Sequence, residues 1–218
     1  MKKIQFKNSS QTETVGKIVC VGRNYAEHAE ELGNEIPEFP LIFLKPASSL
    51  IFNGDNIIHP SYSDEMHNEV ELVLLIGSDI KNADDESAEN AIAAYTVGLD
   101  MTLRDIQSKS KSKGHPWTLA KCFDTSAVVS DFKLKSEYKL TGDEKIKLSV
   151  NGIQKQHASL FQMIFSPAEL VKYISARMTL EKGDLIFTGT PAGVGKVNRG
   201  DILTAEIENI ASLENKII

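Results

Sequence analysis

The chain has 218 residues, with 24 basic and 30 acidic side chains, a net charge of -6, 41% hydrophobic and 25% charged residues. These values suit one ordinary globular domain with a sizeable core and exclude disordered and collagen-like classes. A mildly acidic chain without a strong basic face is poorly suited to a phosphate backbone, so no nucleic-acid partner is expected.

The longest apolar stretches, around Val70–Ile76 and Ile92–Leu99, are too short to span a bilayer, so no membrane partner is expected. The first residues, Met1-Lys2-Lys3-Ile4-Gln5-Phe6-Lys7, return to polar character at once, without a signal-peptide apolar region. Cys20 and Cys122 cannot form a disulfide framework, and Cys20 reads as a small core residue. The expected setting is cytoplasmic.

Along the chain, Ile18–Val21 reads as a short apolar strand, followed by a helical segment from Asn24 to Leu32. Pro37, Pro40 and Pro46 break regularity around Leu41–Leu44, and Asn53-Gly54 signals a turn. Glu69–Ile76 reads as a strand, Asp84–Ala91 as a helix, Ala93–Leu99 as a buried strand and Thr102–Lys113 as a helix. Lys145–Val150 alternates, and Asn151-Gly152 is a hairpin cue. Ser166-Pro167-Ala168-Glu169 has capping-box form, with Leu170, Val171, Ile174 and Met178 on one helical face. Leu185–Phe187 begins a strand, a glycine-punctuated loop follows, and Ile202–Ile207 reads as the final strand. Strands dominate without regular βα alternation, which points to an α+β class.

Glu69 and Glu71 stand two apart on a strand, so both carboxylates leave one face. Their like charges and partial burial are tolerated when a cation sits between them. Asp100, at the end of the apolar strand Ala93–Leu99, offers a third carboxylate. Three oxygen ligands without cysteine suit a hard divalent ion, Mg²⁺ first and then Mn²⁺ or Ca²⁺. The ordinary alternative is a solvated Glu-x-Glu face. His67 reads equally as a ligand or a surface residue. On a helix, His28 and Glu31 face the same side, and a carboxylate bonded to imidazole fixes its tautomer and raises its basicity. A surface contact is the plain alternative for that pair.

Six stretches occur in order: GRNYAEHAEE (22–31), FLKP (43–46), EVELVLLIG (69–77), YTVGLDMTLRD (95–105), PWTLAKCFD (116–124) and LEKGDLIFTGTPAGVG (180–195). Together they resemble the fumarylacetoacetate hydrolase superfamily, closest to its short single-domain acylpyruvate hydrolase type. The resemblance implies a β-rich sandwich or roll with peripheral short helices, and usually a homodimer. It sets residues 1–16 apart as an N-terminal extension or edge strand and makes 17–218 one catalytic domain.

Carried over residue by residue, the metal triad falls on Glu69, Glu71 and Asp100, and the catalytic pair on His28 and Glu31. The active-site lysine falls on Lys121, and the TGTP loop contributes Thr190. Arg23, Lys45, Arg104 and Gln107 match positions near the site, with Arg104–Asp105 alternatively a structural ion pair. Residues 7–14 and the Lys/Ser-rich region Ser108–Gly114 depart from the family pattern, the latter reading as a solvated helix end. The implied activity is Mg²⁺-dependent C–C hydrolysis of small acylpyruvates. The alternative is oxaloacetate decarboxylation or tautomerisation, or isomerisation of an unsaturated keto diacid, at the same site. A non-catalytic keto-acid-binding module would need no His28, Glu31 or Lys121.

Overall fold

The structure is a computed structural model that describes residues 1–31, 33 and 35–218. Two twisted sheets carry the fold. The larger has eight strands. Its path runs through Leu41–Lys45, Ile18–Gly22, Leu185–Phe187, Val70–Ile76, Ile92–Asp100, Ala127–Val129 and Leu50–Phe52, with Lys133–Leu134 also paired to Ile92–Asp100. The smaller has five, in the order Ile153–Ser159, Lys145–Val150, Ile202–Ile207, Ala211–Ile217 and Asn56–Ile57. Most neighbours are antiparallel, but Leu185–Phe187 runs parallel to Ile18–Gly22, and Ala127–Val129 parallel to Leu50–Phe52. Short helices lie at the periphery, so the α+β expectation holds.

The sheets stack through side chains that alternate along each strand. Val70, Leu72, Leu74 and Ile76 point toward Ile146, Leu148, Leu203, Ile207 and Leu213 in the principal core. The opposite face of the same strand sends Val73 and Leu75 into a second cluster with Cys20, Phe132 and Phe187. Strand Val70–Ile76 is buried along its whole length, which explains its nearly continuous apolar sequence.

Local signals are realised at the turns and caps. Asn151 and Gly152 both adopt positive φ, 51° and 76°, in a two-residue hairpin between Lys145–Val150 and Ile153–Ser159. Ser166 and Glu169 cap helix Pro167–Ser175 reciprocally. Asp84 and Ser87 cap helix Asp85–Ala91 in the same way.

Three expectations change. The helix read from Thr102 begins at Arg104, because Thr102–Leu103 pairs with Met66–Asn68 as a short strand. The helix read as Asn24–Leu32 spans Ala26–Glu31, and its expected last residue, Leu32, lies outside the described residues. Ile202–Ile207 is not the final strand, since Ala211–Ile217 pairs with it. Residues 3–5 and 12–14 form a small antiparallel pair, Lys3–Gln5 with Thr12–Thr14.

Candidate active site

The three acids meet through strand register. Val70 pairs with Leu99 and Glu71 with Gly98. The next antiparallel step sets Glu69 opposite Asp100, and the Asp100 N–H donates to the Glu69 carbonyl at 2.9 Å. Directly opposed residues share a face, as do residues two apart on one strand. Glu69, Glu71 and Asp100 therefore converge, with one carboxylate oxygen from each within 4.8 Å of the others, and all three are buried.

Gly98 leaves the position opposite Glu71 without a side chain. A Cβ there would stand 2.7 Å from the Val128 carbonyl oxygen and 2.6 Å from Val73 Cγ2.

Cations of the chain surround the triad. Lys121, in the short helix Thr118–Lys121, donates to Glu69 Oε2 at 2.8 Å and to Asp100 Oδ2 at 2.6 Å. Arg104 pairs with the other Glu69 oxygen and donates to Gln107 Oε1 at 2.6 Å. Arg104 is thus not paired with Asp105, which instead accepts from the Ser63 hydroxyl at 2.7 Å. Lys45 lies behind the triad, 2.8 Å from Asp100 Oδ1. It is wholly buried and spends its ammonium on the carbonyls of Met101, Lys121 and Ser126. It thereby ties Asp100 to the Lys121–Ser126 segment.

These contacts split the carboxyl pKa values. Burial would raise Glu69, but the charges of Lys121 and Arg104 hold it far below the ordinary carboxylate range. Glu71 moves the other way, since burial and the negative charges of Asp100 and Glu69 outweigh its hydrogen bond from Gly189 N–H at 2.7 Å. Lys121 is buried too, yet Asp100 and Glu69 push its pKa up and keep it charged.

The donor set fits a hard divalent cation. Oxygen is its only ligand type, Asp100 Oδ1 is buried without a hydrogen bond of good geometry, and Glu71 has no ion-pair partner among the described residues.

His28 and Glu31 meet as their spacing indicates. His28 Nδ1 lies 3.3 Å from Glu31 Oε2, and both Glu31 oxygens accept from Gly193 N–H, at 3.1 and 3.2 Å. A carboxylate accepts only, so it fixes the Nδ1–H tautomer and leaves Nε2 free. His28 is buried, and that burial lowers its pKa despite the Glu69 and Glu31 charges, so the imidazole is neutral at pH 7.

His28 and the triad line one cleft of about 30 Å³, with Arg23, Gln107, Lys121 and Thr190 also on its wall. Thr190 is held by Gln156 Nε2 at 2.8 Å, and Gln156 Oε1 accepts from Val70 N–H at 3.0 Å. His67 stays outside this group and contacts Glu65 Oε2 at 3.3 Å.

Three contributors escape sequence reasoning. Asn24 is fully buried and clamps two loops, donating to Phe165 and Thr188 carbonyls at 2.9 and 2.7 Å and accepting from Phe165 N–H at 2.7 Å. It anchors Arg23, which sits at φ 59°. Lys111 and Trp117 also line the cleft, although Ser108–Gly114 reads as a solvated helix end. A signal for Lys111 exists: Arg104, Gln107 and Lys111 are spaced i, i+3, i+7 on helix Arg104–Ser112, which is one helical face.

Comparison with known proteins gives the family. The model of the fumarylacetoacetate (FAA) hydrolase C-terminal domain matches residues 17–218. A mitochondrial oxaloacetate decarboxylase of Dictyostelium discoideum is 47% identical over 199 residues, 91% of this chain and 91% of that protein. The oxaloacetate tautomerase YcgM of Escherichia coli (strain K12) is 44% identical over 197 residues, 89% of each. The crystal structure of fumarylpyruvate hydrolase from Pseudomonas aeruginosa in complex with Mn²⁺ and pyruvate superposes with a TM-score of 0.96 at 37% identity. It covers 100% of this chain and 95% of that one. Among the described residues no helix is long and apolar enough to cross a membrane. Members of this family are enzymes with hydrolase, decarboxylase and tautomerase or isomerase activities. The chain belongs to the fumarylacetoacetate hydrolase family.

Proposed function

We propose that this chain moves a proton at C3 of small 2-oxo acids of the oxaloacetate class, interconverting their keto and enol forms with a divalent ion as cofactor. The observation that carries this reading is a buried imidazole, held through Nδ1 by Glu31, in the same cleft as three convergent carboxylates. Relatives named oxaloacetate tautomerase and decarboxylase, 44% and 47% identical over almost the whole chain, support the substrate class.

Glu69, Glu71 and Asp100 would hold Mg²⁺, with Mn²⁺ or Ca²⁺ as substitutes. Bound there, the ion supplies Lewis-acid stabilisation of negative charge on a substrate oxygen.

His28 Nε2 accepts the C3 proton. The C–H electron pair forms the C2–C3 double bond, the 2-oxo oxygen takes the charge, and a proton returned to that oxygen completes the exchange without net change in atoms or charge. Glu31 holds the imidazole and stabilises its protonated form. Lys121 keeps Glu69 and Asp100 in place and adds positive charge beside the reacting oxygens. Thr190 offers a hydroxyl at the cleft wall.

Hydrolysis of acylpyruvates is the second reading, supported by the likeness to a fumarylpyruvate hydrolase structure. Here His28 takes a proton from water, the water oxygen bonds to the distal carbonyl carbon, and the C3–C4 bond breaks. Pyruvate gains a proton at C3, and the other half leaves as a carboxylic acid. A homodimer belongs to the proposal and is checked by light scattering.

The deciding experiment compares three rates in Mg²⁺ buffer: enol-to-keto conversion of oxaloacetate, pyruvate release from oxaloacetate, and cleavage of acetylpyruvate. The proton-transfer rate is expected to exceed the other two. Faster acetylpyruvate cleavage would replace it with the second reading, and no turnover of either acid would overturn both.

A further inference from the structure

The cations in and around the cleft fall into two sets. Lys121, Lys45 and Arg104 are spent on Glu69 and Asp100. Arg23 and Lys111 also line the cleft, and among the described residues neither has a carboxylate partner.

Lys111 is exposed, yet its ammonium has a defined place on the cleft wall. Its ammonium stands 5.1 Å from the Trp117 ring centroid, and Trp117 packs edge-on against Phe43 with centroids 5.8 Å apart. Both aromatic rings are part of the cleft wall. Partial desolvation there, and then the like charges of Arg23 and Arg104, lower the Lys111 pKa, so the cations crowd toward one space. Lys109, Lys111 and Lys113 are all exposed, but of the three Lys111 alone lines the cleft.

Arg23 is held at positive φ, a conformation that is strained for a non-glycine residue. The buried Asn24 clamp sustains it. Like-charged side chains brought together at such a cost are stabilised when an anion lies between them.

We infer that Lys111, together with Arg23, holds the far carboxylate of a dicarboxylic 2-oxo substrate and so selects diacids over acids with an uncharged tail. This inference rests on the functional reading above for its first carboxylate and its 2-oxo group. It adds the residues that recognise the other end. Trp117, braced by Phe43, forms the shelf over which Lys111 reaches the cleft. A charge-assisted hydrogen bond of this kind is worth roughly ten- to hundredfold in affinity.

The test uses the full chain in Mg²⁺ buffer, with calorimetric binding of malate and of lactate, which lacks the far carboxylate. Neither acid needs turnover to report on the subsite. The native chain is expected to prefer malate. Lys111→Met keeps the stem over Trp117 and is expected to reduce that preference about tenfold or more, while Lys111→Arg is expected to retain it. In parallel, the ratio of kcat/KM for oxaloacetate to that for acetylpyruvate is expected to fall by a similar factor in Lys111→Met.

Equal affinity for the two acids in the native chain, or an unchanged preference in Lys111→Met, would overturn the inference. A malate preference lost only in Lys111→Met, in a chain that turns over neither keto acid, would uphold this subsite and sink the functional reading alone.

Discussion

Glu69 and Asp100 face each other across an antiparallel ladder, and the same lysine, Lys121, donates to both carboxylates at 2.8 and 2.6 Å. Two acids that repel are held together by an ammonium from a third element. Among the described residues Glu71 has no such partner, and this inequality bears on how the site would take up a metal ion.

The uncompensated Glu71 carboxyl has its pKa raised by burial and by Asp100 and Glu69. A raised carboxyl pKa means that the folded, metal-free chain retains a proton that the unfolded chain releases above its own lower pKa. That group's contribution to stability is therefore largest at low pH and declines as pH rises toward the folded value. A divalent ion must displace the proton. Calorimetry in buffers of different ionisation enthalpy should show proton release on Mg²⁺ binding, with affinity rising with pH. Binding without proton release would show Glu71 to be ionised beforehand. Glu71→Gln should weaken Mg²⁺ binding at least about tenfold.

His28→Ala should reduce kcat by about 10²- to 10⁴-fold, the usual worth of a general base. Mg²⁺ affinity should change far less, because His28 lies outside the carboxylate group. Parallel loss of turnover and metal affinity would make the residue structural.

Removal of divalent ions with EDTA should abolish turnover, and Mg²⁺ or Mn²⁺ should restore it, since both accept an oxygen donor set. Full activity in rigorously metal-free buffer would remove the Lewis-acid part of the proposal.

Gly98→Ala should destabilise the fold by about 1–3 kcal/mol, read from denaturant midpoints. The new methyl would meet the Val128 carbonyl, Val73 and Phe187 inside 3 Å, and two of these belong to the second core cluster. Unchanged stability would mean that strands Val70–Ile76 and Ile92–Asp100 can separate locally.

Far from the site, buried Glu144 accepts from the Tyr138 hydroxyl at 2.8 Å and from the N–H groups of Thr141 and Gly142, both at 2.9 Å. Burial would raise its pKa, but these donors lower it below the ordinary 4.5. Its stabilisation is thus fully present above pH 4.5 and is lost as pH falls through the folded value. Glu144→Gln should cost about 1–3 kcal/mol at neutral pH and flatten the acid limb of the stability curve. An acid limb identical to that of the native chain would remove Glu144 as a contributor.

Much of this protein is legible in the amino-acid order because some rules are local. The period of a strand puts Glu69 and Glu71 on one face, the Asn151-Gly152 pair tolerates the positive φ of a tight hairpin, and Ser166 with Glu169 closes a helix end. Helical spacing brings His28 to Glu31. The ordered motifs carry the family.

Strand Ala211–Ile217 is harder to read, since its inward set includes Asn215, buried because it donates to the carbonyls of Phe52 and Asp55 at 2.9 and 2.8 Å. A polar residue among the inward positions blurs the apolar alternation that marks a strand. What only the tertiary structure decided is register and approach. Asp100 joins the triad because Val70 pairs with Leu99, Lys45 works from behind it, and Lys111 turns into the cleft over Trp117. The first two relations join residues far apart in sequence, and no short-range period encodes them. They arise when two sheets bury their apolar faces together and every remaining buried charge must find a partner.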